Sequence, residues 1–118
     1  MKLDRTDLLL DLIREAASNA RAFLSDLDRD AFLSDMKTRH AVAMCLVIVG
    51  ENVARLAKYH PEFLAANPEP PWREAIGLRN RIAHGYEDVD FEIVWRTATE
   101  YLPNLLRELP EPKPLEEK

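Results

Sequence analysis

The segment Arg79-Asn80-Arg81-Ile82-Ala83-His84-Gly85-Tyr86 gathers two arginines, an asparagine, a histidine and a tyrosine within eight residues. These residue types suit phosphodiester cleavage without a metal. A guanidinium offers phosphate oxygens a planar fork of donors. It can also stabilise the negative charge that grows on phosphorus in the transition state. A histidine that titrates near neutrality can carry protons to or from a ribose 2′-hydroxyl and a leaving oxygen. Asn80 can orient the histidine or the phosphate. Two effects oppose each other at His84: a helix C-terminus favours the charged ring, and Arg79 and Arg81 disfavour it.

Spacing limits what one helix can do with these groups. Residues five apart are turned by about 140° on a helix of 3.6 residues per turn, so Arg79 and His84 do not share a stripe. Asn80 and His84, four apart, do. Either the helix loosens at Gly85, or a second copy of the chain completes the pocket. A plainer role exists for the same residues, which at a helix end can cap carbonyls and pair with Glu87, Asp88 or Asp90.

Other chemistries find little support. His40, His60 and His84 form no His-Glu-x-x-His pattern, and the carboxylates near them lack metal-ligand spacing, so neither a metal nor a cofactor is expected. The sequence contains no Gly-x-Gly-x-x-Gly, no Walker-type loop and no Gly-x-Ser-x-Gly turn around Ser18, Ser25 or Ser34. His40 and His60 read as surface or helix-end residues. Cys45 is the single cysteine, so an internal disulfide is excluded. Its place in the apolar run Ala41 to Val49 makes it a small core residue.

The elements that must position the motif read as helices. The chain has 118 residues, 47% hydrophobic and 31% charged, enough for one domain with its own core. Over residues 3–25, Leu8, Leu9, Leu12, Ile13, Ala16, Ala20, Phe23 and Leu24 recur at steps of three and four. Asp28 can cap a short helix over Arg29 to Ser34. A third helix runs from near Asp35 to about Tyr59, apolar on every side at its centre, which suits a central helix or one facing a second protomer. Pro61 to Ala66 forms one further turn, and Asn67 to Pro71 is a stiff loop. Trp72 to His84 reads as one helix, stopped by Gly85. Asp90 caps the last long helix, with Phe91, Val94, Trp95, Ala98, Tyr101, Leu102, Leu105, Leu106 and Leu109 as its buried stripe and a kink at Pro103. The expected architecture is all-α: an antiparallel bundle of four to five helices over residues 1–109, with a flexible tail over 110–118.

Acids and bases throughout residues 1–24 argue against a secretory signal. The longest uninterrupted apolar stretch is about half the ~20 residues a membrane span needs. A cytoplasmic protein is therefore expected. Net charge is −5 and the pI about 5.2, so general attraction to nucleic acid is weak. Binding to RNA must come from a local basic site or an assembly that concentrates one.

Arg79-x4-His84 resembles the Arg-x4–6-His signature of the HEPN superfamily, and Arg79-x4-His84-x-Tyr86 resembles the longer motif of its HepT-like toxins. Pro71-Trp72, Gly77-Leu78-Arg79-Asn80, Ala83-His84-Gly85-Tyr86, Val89-Asp90, Val94-Trp95, Gly50-Glu51 and Leu102-Pro103 are similar to that group as well. The similarity spans roughly residues 5–109. It implies a HEPN-like fold that forms a homodimer, with the motif residues of both chains lining one cleft. It also implies a metal-independent endoribonuclease in which Arg79 and His84 are catalytic and Asn80 and Arg81 support them. The implied partner is a minimal nucleotidyltransferase (MNT-type) antitoxin that moves AMP from ATP onto Tyr86 and so blocks the cleft. The alternative is a non-catalytic module that binds a nucleotide or serves an associated nucleotidyltransferase.

Overall fold

Asp28, Asp35 and Asp90 each stand one residue before a helix, and each accepts hydrogen bonds from that helix's first turn. Asp28 takes the Ala31 amide at 2.8 Å. Asp35 takes the Thr38 amide at 3.2 Å and the Thr38 hydroxyl at 2.8 Å. These bonds, the hydroxyl's first, hold the Asp35 carboxyl below its usual range. Asp90 takes the amides of Glu92 and Ile93 at 3.1 and 3.2 Å. Each cap satisfies amides that have no partner within their own helix.

The computed structural model describes residues 5–82 and 88–111. Helix α1 covers Arg5–Phe23, α2 Arg29–Leu33, α3 Met36–Tyr59, α4 Pro61–Ala66, α5 Trp72–Ile76, α6 Leu78–Ile82 and α7 Phe91–Arg96. A π-helical turn, Thr97–Tyr101, joins α7 to α8, Leu102–Glu108. The fold is all-α, as expected. Of the tail expected from residue 110, positions 112–118 lie outside the described residues. Pro110 itself is tied down, its carbonyl accepting from Arg14 Nη2 at 2.7 Å.

Helix α3 is the hub. It packs most extensively along α1 and also touches α2, α4, α5, α6 and α7. Val42, Leu46, Val49, Val53 and Leu56 are fully buried on it. By length and composition α3 could cross a membrane, since an 18-residue window reaches a mean hydropathy of 1.4. Half of that window is buried against other helices, which is how the core helix of a globular domain behaves. Cys45 is buried there, and burial pushes its thiol pKa up.

Two sequence expectations need correction, and a third, the interruption at Pro103, takes a specific form. The stripe of α1 is rotated: Leu9, Leu10, Ile13, Ala16, Ala17 and Ala20 are buried, while Leu8, Leu12 and Phe23 are 36–47% exposed. The small alanines bring α3 close and leave the larger flanking side chains outside. The helix expected from Trp72 onward is broken at Gly77, which separates α5 from α6. Glycine weakens a helix interior, and the break lets both pieces bear on α3. Finally, Pro103 is accommodated upstream of itself. Proline cannot donate to the preceding turn and its ring crowds that turn's carbonyl. The chain widens into the π turn, where the Leu102 amide reaches the Thr97 carbonyl.

Candidate functional site

Helix α6 divides its five residues cleanly. Leu78 and Ile82, four apart, are buried in the core, while Arg79, Asn80 and Arg81 face outward. The motif's described polar groups are thus held on the open side of a short helix anchored by two apolar side chains. His84 and Tyr86, the other two motif residues, lie outside the described residues. So does the expected helix stop at Gly85. The chain returns to α6 after them, because the Asp90 amide donates to the Ile82 carbonyl at 2.9 Å.

What seats α6 is a glycine on α3. A Cβ added at Gly50 would lie 3.0 Å from the Ala75 carbonyl oxygen, 3.4 Å from Leu78 Cβ and 3.7 Å from the Arg79 amide nitrogen. The α5–α6 junction therefore rests directly on the α3 backbone. The next residue on α3 is Glu51, and Arg79 Nη1 donates to Glu51 Oε2 at 3.0 Å. Both side chains are partly exposed, 62% for Arg79 and 41% for Glu51. The ion pair links two residues 28 apart in sequence; the sequence marked Glu51 only as part of the family-like pair Gly50-Glu51, with no role attached. The available signal was the abrupt change from an all-apolar run to Gly50-Glu51 in the middle of the central helix.

The expected supporting residues part company. Arg81 Nη2 donates to the Glu74 carbonyl at 3.3 Å, so it caps the broken end of α5, the plainer role that a helix-end arginine can take. Asn80 is exposed beside Arg79. Further back, the loop before α5 is pinned from two sides. Trp72 Nε1 donates to the Asn67 carbonyl at 2.8 Å, and the Tyr101 hydroxyl donates to the Pro71 carbonyl at 2.7 Å. Burial, with Glu74 nearby, pushes the Tyr101 pKa well above the ordinary phenol value. A shallow groove over this loop is lined by Leu64, Pro68, Pro70, Trp72 and Ile76, with no motif residue among the described ones.

His40 is exposed near the start of α3, its ring 5.7 Å from that of Phe91. His60 sits at the junction of α3 and α4. Both are the surface or helix-end residues the sequence suggested. On α3, Met44 and Ile48 are 59% and 37% exposed. Their spacing puts them on the same stripe as Glu51, so an open apolar strip runs up to the Arg79–Glu51 pair.

Comparison with known proteins adds the family. The model of the family described as "Ribonuclease HepT-like" matches residues 13–111. The chain is 35% identical over 105 residues to "Probable ribonuclease HepT" of Thermococcus cleftensis, covering 89% of this chain and 92% of that one. It is 31% identical over 109 residues to "Putative RNase MJ1380" of Methanocaldococcus jannaschii, covering 92% and 95%. A second protein of that organism, "Putative RNase MJ0127", is 32% identical over 110 residues, covering 93% and 88%. No solved structure matches the chain. With its all-α fold and a match over most of its length, the chain belongs to the HepT-like ribonuclease family.

Proposed function

We propose that the chain is a metal-independent endoribonuclease toxin of a HepT–MNT pair, acting as a homodimer in the cytoplasm and silenced by AMP transfer to Tyr86. The observation that carries this reading is the presentation of Arg79. In a family of ribonucleases, this arginine stands exposed on an anchored helix, five residues before His84 in the chain.

In the proposed reaction the ribose 2′-oxygen attacks phosphorus and the 5′-oxygen leaves, with a 2′,3′-cyclic phosphate as product. Arg79 binds the phosphate and stabilises the charge that accumulates on its oxygens. His84 moves the protons, and Asn80 and Arg81 support from the same helix. A second copy supports the chemistry in two ways. Arg79 and His84 do not share a stripe on one helix, and pooling two motifs concentrates positive charge on a chain whose net charge is −5. The exposed Met44 and Ile48 beside Glu51 are the surface such a copy would cover. For control, the Tyr86 hydroxyl takes the α-phosphate of ATP and pyrophosphate leaves. The resulting AMP group, bulky and anionic two residues from His84, would repel RNA.

The test is cleavage of a single-stranded RNA in the presence of EDTA. His84→Ala should lower kcat roughly 10²–10⁴-fold and Arg79→Ala roughly 10²–10³-fold, with circular dichroism unchanged. RNA left intact by the unmodified chain would reject the reading. In that case a non-catalytic module serving a nucleotidyltransferase accounts better for the acidic net charge. Mass spectrometry after co-expression with an MNT-type enzyme tests control separately, and an AMP adduct on Tyr86 is expected.

A further inference from the structure

Among the described residues the motif supplies Arg79 with no partner that would hold its side chain still. An arginine more than half exposed on a five-residue helix would sample many rotamers, and electrostatic stabilisation depends on donors already in place when charge develops. The partner comes from α3. Glu51 Oε2 accepts from Nη1 at 3.0 Å, and the rest of the fork has no partner among the described residues. The carboxylate thus occupies one corner of the guanidinium, and no described residue takes the other donors, which can then meet a ligand. Because Gly50 lets the α5–α6 junction rest on the α3 backbone, the two ends of the ion pair ride on elements that are already locked together.

From this geometry we infer that Glu51 is the positioning residue of the site: it acts through Arg79, holding the guanidinium where an RNA phosphate meets it. The inference rests on the ribonuclease reading above. A contact needed for the fold would be a different matter, but an exposed pair contributes little to stability, and Gly50, Leu78 and Ile82 hold α6 without it. Glu51 also carries a negative charge close to where the phosphate binds. It therefore weakens RNA binding while it orders the arginine. A residue with only a structural role would not show this opposition.

The experiment measures kcat and KM for RNA cleavage by the full chain and by Glu51→Ala and Glu51→Gln, alongside melting temperature. Glu51→Ala is expected to lower kcat roughly ten- to a hundredfold, the cost of a displaced catalytic group. KM should be unchanged or lower, and the melting temperature within a few degrees of the parent. Glu51→Gln still accepts a hydrogen bond and should recover most of the lost kcat. Equal kcat in Glu51→Ala and the parent overturns the inference. So does a Glu51→Gln chain as slow as Glu51→Ala with one limb of its pH profile gone, since Glu51 would then be moving a proton itself. A second readout needs no RNA: restricted rotation of the Arg79 guanidinium, followed by nitrogen-15 NMR. Rotation should be slow in the parent and fast in Glu51→Ala. Equal rates overturn the positioning role whatever the cleavage assay shows, whereas slow rotation in a parent that leaves RNA intact supports the ion pair and rejects the ribonuclease reading alone.

Discussion

Tyr101 shows how one hydroxyl far from the motif in sequence shapes the motif's approach. Its O–H donates to the Pro71 carbonyl at 2.7 Å, 30 residues back along the chain. That fixes the loop leading into α5. Tyr101→Phe removes the donor and leaves a carbonyl unpaired, so unfolding free energy should fall by about 0.5–1.5 kcal/mol, read from urea denaturation. The pH dependence has a definite sign. The folded-state pKa is raised by burial above the ordinary phenol value of about 10. As pH rises past the unfolded-state value, the unfolded chain therefore loses the proton first. The contribution is complete below about pH 10 and is lost as pH climbs through the folded-state value. The stability gap between parent and Tyr101→Phe should accordingly narrow above that pH; a gap that widens there would contradict the assignment. At this scale the sequence was legible in residue types but not in pairings. Arg79 was readable as a candidate phosphate-binding group, whereas Glu51, 28 residues away, became its partner only once α6 was laid on α3.

Two glycines on the path to the motif make opposite predictions at the scale of elements. Gly50 sits where α5 and α6 cross α3, and a methyl there would meet backbone, the Ala75 carbonyl oxygen, at 3.0 Å. Backbone cannot step aside as a flexible side chain can. Gly50→Ala should cost about 1–3 kcal/mol and, by lifting α6 away from Glu51, lower cleavage as well. Gly77 has φ −92° and ψ 7°, and a Cβ there would touch nothing within 4 Å. Gly77→Ala should stabilise the fold by about 0.4–1 kcal/mol by restricting the unfolded chain. Thermal denaturation of both variants checks the pair, and a destabilised Gly77→Ala would mean that the break needs glycine itself. Helix positions and the caps Asp28 and Asp90 could be read in advance because these residues and the apolar periodicity act locally; Asp35 marked a helix start, and its capping bond came with the structure. The break at Gly77 and the π turn before Pro103 could not. Each is a choice between nearly equal backbone paths, and tertiary packing settles it: α3 against both α5 and α6, on either side of Gly77, and the core around Ala98 and Leu102 beside the π turn.

For the whole molecule the question is whether one chain suffices. Arg79 and His84 are five residues apart, a separation that turns them about 140° from each other on a regular helix. Arg79 is committed to a face it shares with Glu51 of α3. Along that face Met44 and Ile48 leave apolar surface open to solvent, a feature that needs a partner when the patch is contiguous. If two copies meet there, each cleft can draw its arginine from one chain and its histidine from the other. Two consequences separate this from a self-sufficient monomer. Met44→Glu combined with Ile48→Glu should convert a dimer to a monomer in sedimentation equilibrium, because burying two carboxylates without partners is costly, and RNA cleavage should disappear with the dimer. Mixing inactive Arg79→Ala chains with inactive His84→Ala chains should then restore cleavage well above either alone, since mixed dimers hold one intact arginine and one intact histidine. Should the mixture stay inert while both variants still dimerise and exchange subunits, the pair must work within one chain. The segment around His84 would then have to bring its ring back to the Arg79 face.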